Sequence, residues 1–240
     1  MELRGRTVLV TGAATPLGQA IARRLRVEAC ELVLAGQPGD DLDGLAGELE
    51  ARVAVGDGAR LVEAAGDVDI LVTGAGGTGA KDHNSLEDID RVIDGGLKAP
   101  IVLARLFGER MVARGYGHIV FVSSLAAKTA SADSSLLNAT MFGVRGFALA
   151  LRQDWAPLGV GVSCVNPGPI GTAPSADGAA RPAGFRPKLP RDVAAAVVRA
   201  VRHDRAEVDV ADPVRRAGVV FGQLAPQAAA RLQRLTAEDR

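Results

Sequence analysis

Aromatic side chains are scarce in this 240-residue sequence: one Trp, one Tyr and six Phe, 3% in all. A core of that composition has to be built from Ala, Val and Leu. An excess of charge is also missing, since 28 basic residues balance 28 acidic ones. That balance gives no electrostatic case for nucleic acid or for an anionic membrane as a partner. Aspartates interleave with the arginines of residues 191–205, which reads as a solvated helix face. Two cysteines, Cys30 and Cys164, sit in apolar strand-like runs and make no disulfide framework, so a reducing cytoplasm is the expected setting. Three scattered histidines, His83, His118 and His203, lack metal-ligand spacing. No apolar run is long enough to span a bilayer, and the first residues enter a strand pattern with no basic-then-apolar leader.

What is present is an ordinary globular composition, 48% hydrophobic and 23% charged, at a length that suits one large α/β unit over residues 1–240. Strand and helix signals alternate. Strands are expected at residues 7–11, 31–35, 52–55, 68–73, 118–123, 161–165 and 207–210. Helices are expected at 17–28, 42–50, 134–156, 191–203 and 226–236, with one long helix over 86–114 in which Pro100 should make a bend or start a new turn. Apolar strands alternating with helices predict a Rossmann-type doubly wound parallel sheet of about seven strands, with helices on both faces. Residues 172–190, rich in Gly, Pro and Ala, follow a strand end on the ligand side of such a sheet and read either as a surface loop or as a lid over substrate.

The first turn reads Thr11-Gly12-Ala13-Ala14-Thr15-Pro16-Leu17-Gly18 and leads from a strand into a helix. Glycines here let backbone approach a pyrophosphate, and a helix N-terminus supplies N–H donors and the positive dipole end. With Thr73-Gly74-Ala75-Gly76 after the fourth strand and Asn166-Pro167-Gly168-Pro169-Ile170-Gly171-Thr172 after the sixth, this turn resembles the short-chain dehydrogenase/reductase family. The resemblance runs from Thr7 to about Val210 and implies a nicotinamide dinucleotide held by Gly12, Thr15, Leu17, Gly18, Gln37, Asp57, Gly74, Ala75, Gly76, Pro167, Gly168, Ile170 and Thr172. Asp57 would meet the adenine amino group and Thr172 the carboxamide. Pro16 stands where the family has its middle glycine, and both asparagines of the family's second turn are replaced by Thr73 and Gly74. An NAD site places an acid at the end of the second strand, but Gly36 and Gln37 stand there, so NADP(H) is favoured over NAD(H).

The family's reaction uses an asparagine, a serine, a tyrosine and a lysine. The tyrosine protonates the carbonyl oxygen, and the lysine lowers the tyrosine pKa and grips the ribose. Here the serine position falls on Ser124, or on Ser123 next to it. Thirteen residues on, the tyrosine position holds Leu137, and four further the lysine position holds Met141. The asparagine position holds Gly96. Leucine carries no exchangeable proton and methionine is only a weak acceptor. Tyr116 precedes the fifth strand and should lie at the opposite sheet end. Lys128, Ser134, Ser135 and Asn138 are the nearby polar side chains in sequence.

These residues predict an atypical NADP(H)-dependent oxidoreductase acting on a carbonyl, quinone or enone, polyketide-like substrates included, with substrate or water giving the proton. Two alternatives stand beside it. One is a silent subunit of a hetero-oligomer with an active paralogue. The other is a redox-neutral cyclase, dehydratase or isomerase working in the same pocket. A homodimer or homotetramer is what the resemblance implies, and residues 212–240 match a C-terminal extension.

Overall fold

The computed structural model describes residues 1–74, 85–130, 134–171, 188–229 and 231. Seven parallel strands form one sheet in the order β3-β2-β1-β4-β5-β6-β7. They are β1 (Thr7–Val10), β2 (Glu31–Gly36), β3 (Arg52–Val55), β4 (Ile70–Thr73), β5 (Gly117–Val122), β6 (Val160–Pro167) and β7 (Glu207–Val210). The helices are α1 (Pro16–Val27), α2 (Asp43–Leu49), α3 (Gly58–Ala65), α4 (Leu86–Ile93), α5 (Ala99–Arg114), α6 (Ser135–Trp155), α7 (Pro190–Arg202) and α8 (Pro213–Leu224).

Side chains alternate across the pleat, so each central strand serves two cores. Val8 and Val10 of β1, Ile70 and Val72 of β4, and Val120 and Val122 of β5 join the core beneath α1, α2 and α7. Their neighbours Leu9, Leu71, Ile119 and Phe121 join the core beneath α3, α5 and α6. Strands buried on both faces explain why the sequence shows near-continuous aliphatic runs. The strand order reverses direction between β1 and β4, which opens a crevice at the C-terminal strand ends.

Three elements depart from the sequence expectation. The long helix over 86–114 is interrupted by an unexpected five-residue π turn at Asp94–Lys98, after which a new helix starts at Ala99, beside Pro100, the second of the two outcomes expected there. Pro100 sits in the first turn of α5, where a missing N–H costs little. The wider turn also moves the carbonyl four residues back away from the proline ring. Helix α3 was not expected. It has only eight residues and glycines at both boundaries, and it forms because Leu61, Val62 and Ala65 are buried. Toward the C-terminus, α8 was not expected: it starts at Pro213, with Asp212 capping Arg215 N–H, and the helix expected from residue 226 follows it, with residues 226–229 helical.

Candidate active site

The half of the crevice where the cofactor is expected is built mainly from backbone. Thr15 is the N-cap of α1: its Oγ1 accepts from Gly18 N–H at 3.1 Å and donates to Gly12 O at 2.8 Å. Pro16 fills the first helical position, where its fixed φ suits the turn. Gly18 is buried against the turn, and a Cβ there would lie 2.1 Å from Gly12 O. The turn therefore needs glycine at this place. Leu17 N–H is the first-turn donor that no described residue engages. Ala13 N–H bonds Ala35 O at 3.3 Å, tying the turn to β2.

The remaining expected cofactor residues fall along the same edge of the sheet. Gln37 follows the last residue of β2. Asp57 occupies the N-cap position of α3 but makes no side-chain cap bond, so its carboxylate is left open to a ligand. Gly74 follows β4, with φ of 91°, and a Cβ there would lie 2.5 Å from Val122 O. Pro167 pairs with Val210 of β7, and Gly168 N–H bonds Val210 O at 3.0 Å. Ile170 bridges to Lys188 in parallel register. Ala75, Gly76 and Thr172 lie outside the described residues.

The other half centres on the end of β5 and the first turns of α6. Ser124 caps a 3₁₀ turn (Leu125–Ala127), its Oγ accepting from Ala126 N–H at 3.1 Å. That bond uses a lone pair and leaves the hydroxyl proton without a described acceptor. Ser123 is buried, and its Oγ lies 3.6 Å from Met141 Sδ and 3.5 Å from Met141 O. Leu137 and Met141 stand one turn apart on α6, both half-buried. Gly96 is buried in the π turn, whose Leu97 rests on Gly143 of α6. The π turn thus reaches α6 two residues past Met141.

Polar groups near this floor are already engaged. Lys128, with 10% of its side chain exposed, pairs with Asp209 at 2.8 Å and Glu207 at 3.3 Å. Arg145 grips Glu207 with two bonds, at 2.7 and 3.0 Å, and Asn166 donates to both carboxylates. Burial alone would raise the Glu207 carboxyl, but the Arg145 and Lys128 contacts hold it below its usual value. Burial pushes the Cys164 thiol up to about 12, so it is no nucleophile at neutral pH. Asn138 Nδ2 donates to Ser134 O at 2.8 Å within α6. Tyr116 lies before β5, at the far sheet end, between the guanidinium groups of Arg6 and Arg114. Sequence reasoning did not foresee the Lys128–Glu207–Asp209–Arg145 network, because its members lie up to 81 residues apart.

The family model described as short chain dehydrogenase matches residues 6–181. The ketoacyl reductase HetN of Nostoc sp. is 32% identical over 97% of this chain and 89% of its own length. The 3-oxoacyl-(acyl-carrier-protein) reductase FabG of Rickettsia prowazekii is 29% identical over 70% of this chain and 74% of its own. A solved 3-oxoacyl-(acyl-carrier protein) reductase from Brucella melitensis superposes with a TM-score of 0.73 at 26% identity, covering 88% of this chain and 91% of that one. With nearly three quarters of its length matched and its crevice at the strand-order reversal, the chain belongs to the short-chain dehydrogenase family of oxidoreductases.

Proposed function

We propose that this oxidoreductase is a nicotinamide-dependent reductase that works without a protein proton relay. Its substrate is a carbonyl, quinone or enone that brings its own proton donor or leaves a stabilised enolate. The observation that carries the reading is Met141 Sδ, 3.6 Å from Ser123 Oγ, where the resemblance puts an ammonium. The relatives named as ketoacyl reductases support a carbonyl carbon as hydride acceptor.

The cofactor half fits a dinucleotide. Gly18 keeps backbone close to Gly12, Leu17 offers a first-turn N–H, and the Asp57 carboxylate is open at the end of β3. A bound reduced nicotinamide supplies the hydride. The chain's own part is to hold the acceptor. Ser124 O–H donates to the substrate oxygen as charge builds there. Leu137 and Met141 exclude water from one side of the crevice and give up no proton. The oxygen therefore takes its proton from an adjacent substrate hydroxyl or from solvent. Positioned acid–base catalysis contributes about 10²–10⁴-fold. Orientation alone reaches about 10⁵–10⁸ M in effective molarity, so hydride transfer survives without the relay.

Stopped-flow mixing with NADH or NADPH and a panel of quinones, enones and β-dicarbonyls tests this. The expected result is nicotinamide oxidation that is fastest where a hydroxyl neighbours the acceptor oxygen. Tight nicotinamide binding with no oxidation across the panel overturns it. The sequence expectation of NADP(H) over NAD(H) rests on the missing acid at Gly36 and Gln37 alone. A second reading, a silent subunit paired with an active homologue, draws support from Val102 and Phe142, 36% and 43% exposed on α5 and α6. A stoichiometric homologue co-purified from the native host, with no oxidation by this chain alone, favours it over the first.

A further inference from the structure

Beyond the last residue of β2 the chain turns back on itself. Asp40 N–H bonds Gln37 O at 3.0 Å, closing a four-residue turn with Pro38 and Gly39 at its centre. Gly39 has φ of 96°, and Pro followed by a positive-φ glycine is the signature of a type II turn. The reversal returns the Asp40 side chain to the strand end. Its Oδ2 accepts from Gln37 N–H at 2.8 Å. A Cβ on Gly36 would lie 3.1 Å from that oxygen and 2.7 Å from Leu42 Cδ1. Gly36 is thus glycine because Asp40 and Leu42 fold over it. The strand end has no acid of its own and receives one from three residues downstream of Gln37.

We propose that Asp40 selects the unphosphorylated dinucleotide, NAD(H), by accepting from the ribose diol and repelling a 2′-phosphate. This rests on the dinucleotide reading above. A carboxylate at the end of the second strand accepts hydrogen bonds from ribose hydroxyls, which a phosphate cannot donate. The Gln37 N–H pins one Asp40 oxygen, and no described residue bonds the other, Oδ1. Among the described residues no basic side chain bonds at Gly36 or Gln37 to attract a phosphate. Arg23, the basic residue of α1 that reaches α2, is held by Glu48 at 2.8 Å. The resulting preference opposes the one suggested by Gly36 and Gln37 when only adjacent positions are counted.

Calorimetric titration with NADH and NADPH tests the assignment by binding, apart from turnover. The wild-type chain is expected to bind NADH the tighter. Asp40→Asn keeps an oxygen for Gln37 N–H and removes only the charge. It should narrow the NADH/NADPH affinity ratio by about tenfold, the scale of one like charge close to a phosphate in water-like surroundings. Asp41→Asn removes the same charge one residue away and should leave the ratio nearly unchanged. An unchanged ratio in Asp40→Asn, or an equal shift in both variants, overturns the role of Asp40 while leaving the dinucleotide reading intact. Binding of neither nucleotide by the wild-type chain overturns the dinucleotide reading, and the selection with it.

Discussion

The two halves of the crevice are specified by different parts of the chain's chemistry. On the side proposed for the cofactor the available groups are main-chain: the Thr15-capped turn, the close approach of Gly18 to Gly12 O, and the strand ends at Gly36 and Gly74. On the α6 side the working groups would have to be side chains, and Leu137 and Met141 stand there with Ser123 against the thioether. A backbone cradle tolerates many side-chain changes so long as its glycines remain. A proton relay fails with one substitution. The chain does retain an imidazole buried in the sheet, but His118 lies at the far end of β5, bonded to Ser163 Oγ at 2.8 Å. Ser163 in turn donates to Arg205 O at 2.6 Å, so the imidazole is the donor to Ser163 and takes the Nε2–H form. The group best suited to move protons near neutral pH is thus placed to hold strands together.

The sharpest way to break this contrast is to restore the side chains. Leu137→Tyr with Met141→Lys should raise kcat/KM for simple ketones that lack a neighbouring hydroxyl by about 10²–10⁴-fold. Activity should then fall at high pH as the tyrosine loses the proton it has to donate, a limb absent from the parent. Steady-state pH profiles read this, with thermal melts to check that tyrosine fits the site. No gain from a folded variant would mean that these two positions do not face the reacting carbon.

The cofactor half can be broken through one atom. Gly18→Ala places a methyl 2.1 Å from Gly12 O, so the turn has to open. Dinucleotide affinity is expected to drop at least about tenfold and stability by about 1–3 kcal/mol, the usual cost of overpacking. Gly44→Ala in α2, with nothing within 4 Å of the added methyl, is the matched control. It should stabilise by up to about 1 kcal/mol through helix propensity, without touching affinity. Calorimetry and thermal melts read both. Equal behaviour of the two variants would remove the case for a backbone cradle.

The smallest effect on catalysis, none, is expected at the far sheet end, where stability alone responds. Burial lowers the His118 pKa from 6.5 to about 4. The unfolded chain takes up a proton below its ordinary value while the native chain does not, so stability falls as pH drops through that interval. The loss from this group is on the order of 3 kcal/mol by pH 4. His118→Gln keeps a donor toward Ser163 and should flatten that part of the pH–stability curve. Urea melts at pH 7 and pH 5 make the comparison, and catalytic rates per folded molecule should not change. A retained slope would show that other groups carry the acid sensitivity.

Much of the fold is legible in the chain itself, because strands buried on both faces must be aliphatic and the helices between them carry a one-sided apolar stripe. The first turn was legible for a similar reason: Gly12, Thr15 and Gly18 are local, and their spacing encodes one capped helix start. Helix α3 was not, since glycines at its boundaries mask two turns that form only against the sheet. The new start beside Pro100 was legible but the π turn before it was not, because a π turn depends on what the helix meets, here α6 at Gly143. Neither the ion pairs that occupy Lys128 nor the fate of Ser124's lone pair could be read from neighbouring letters.

From the sequence alone came the doubly wound sheet, the place of the crevice, and the want of a phenol and an ammonium on α6. These follow from periodicity and from what each side chain can chemically be. Only the tertiary structure decided where charge goes. It drew Lys128 and Arg145 into carboxylate pairs beside β7, buried His118 at the end away from the crevice, and brought Asp40 back over Gly36. The physical reason is that a charge acts across a few ångströms of space, and chain reversal decides which charges become neighbours.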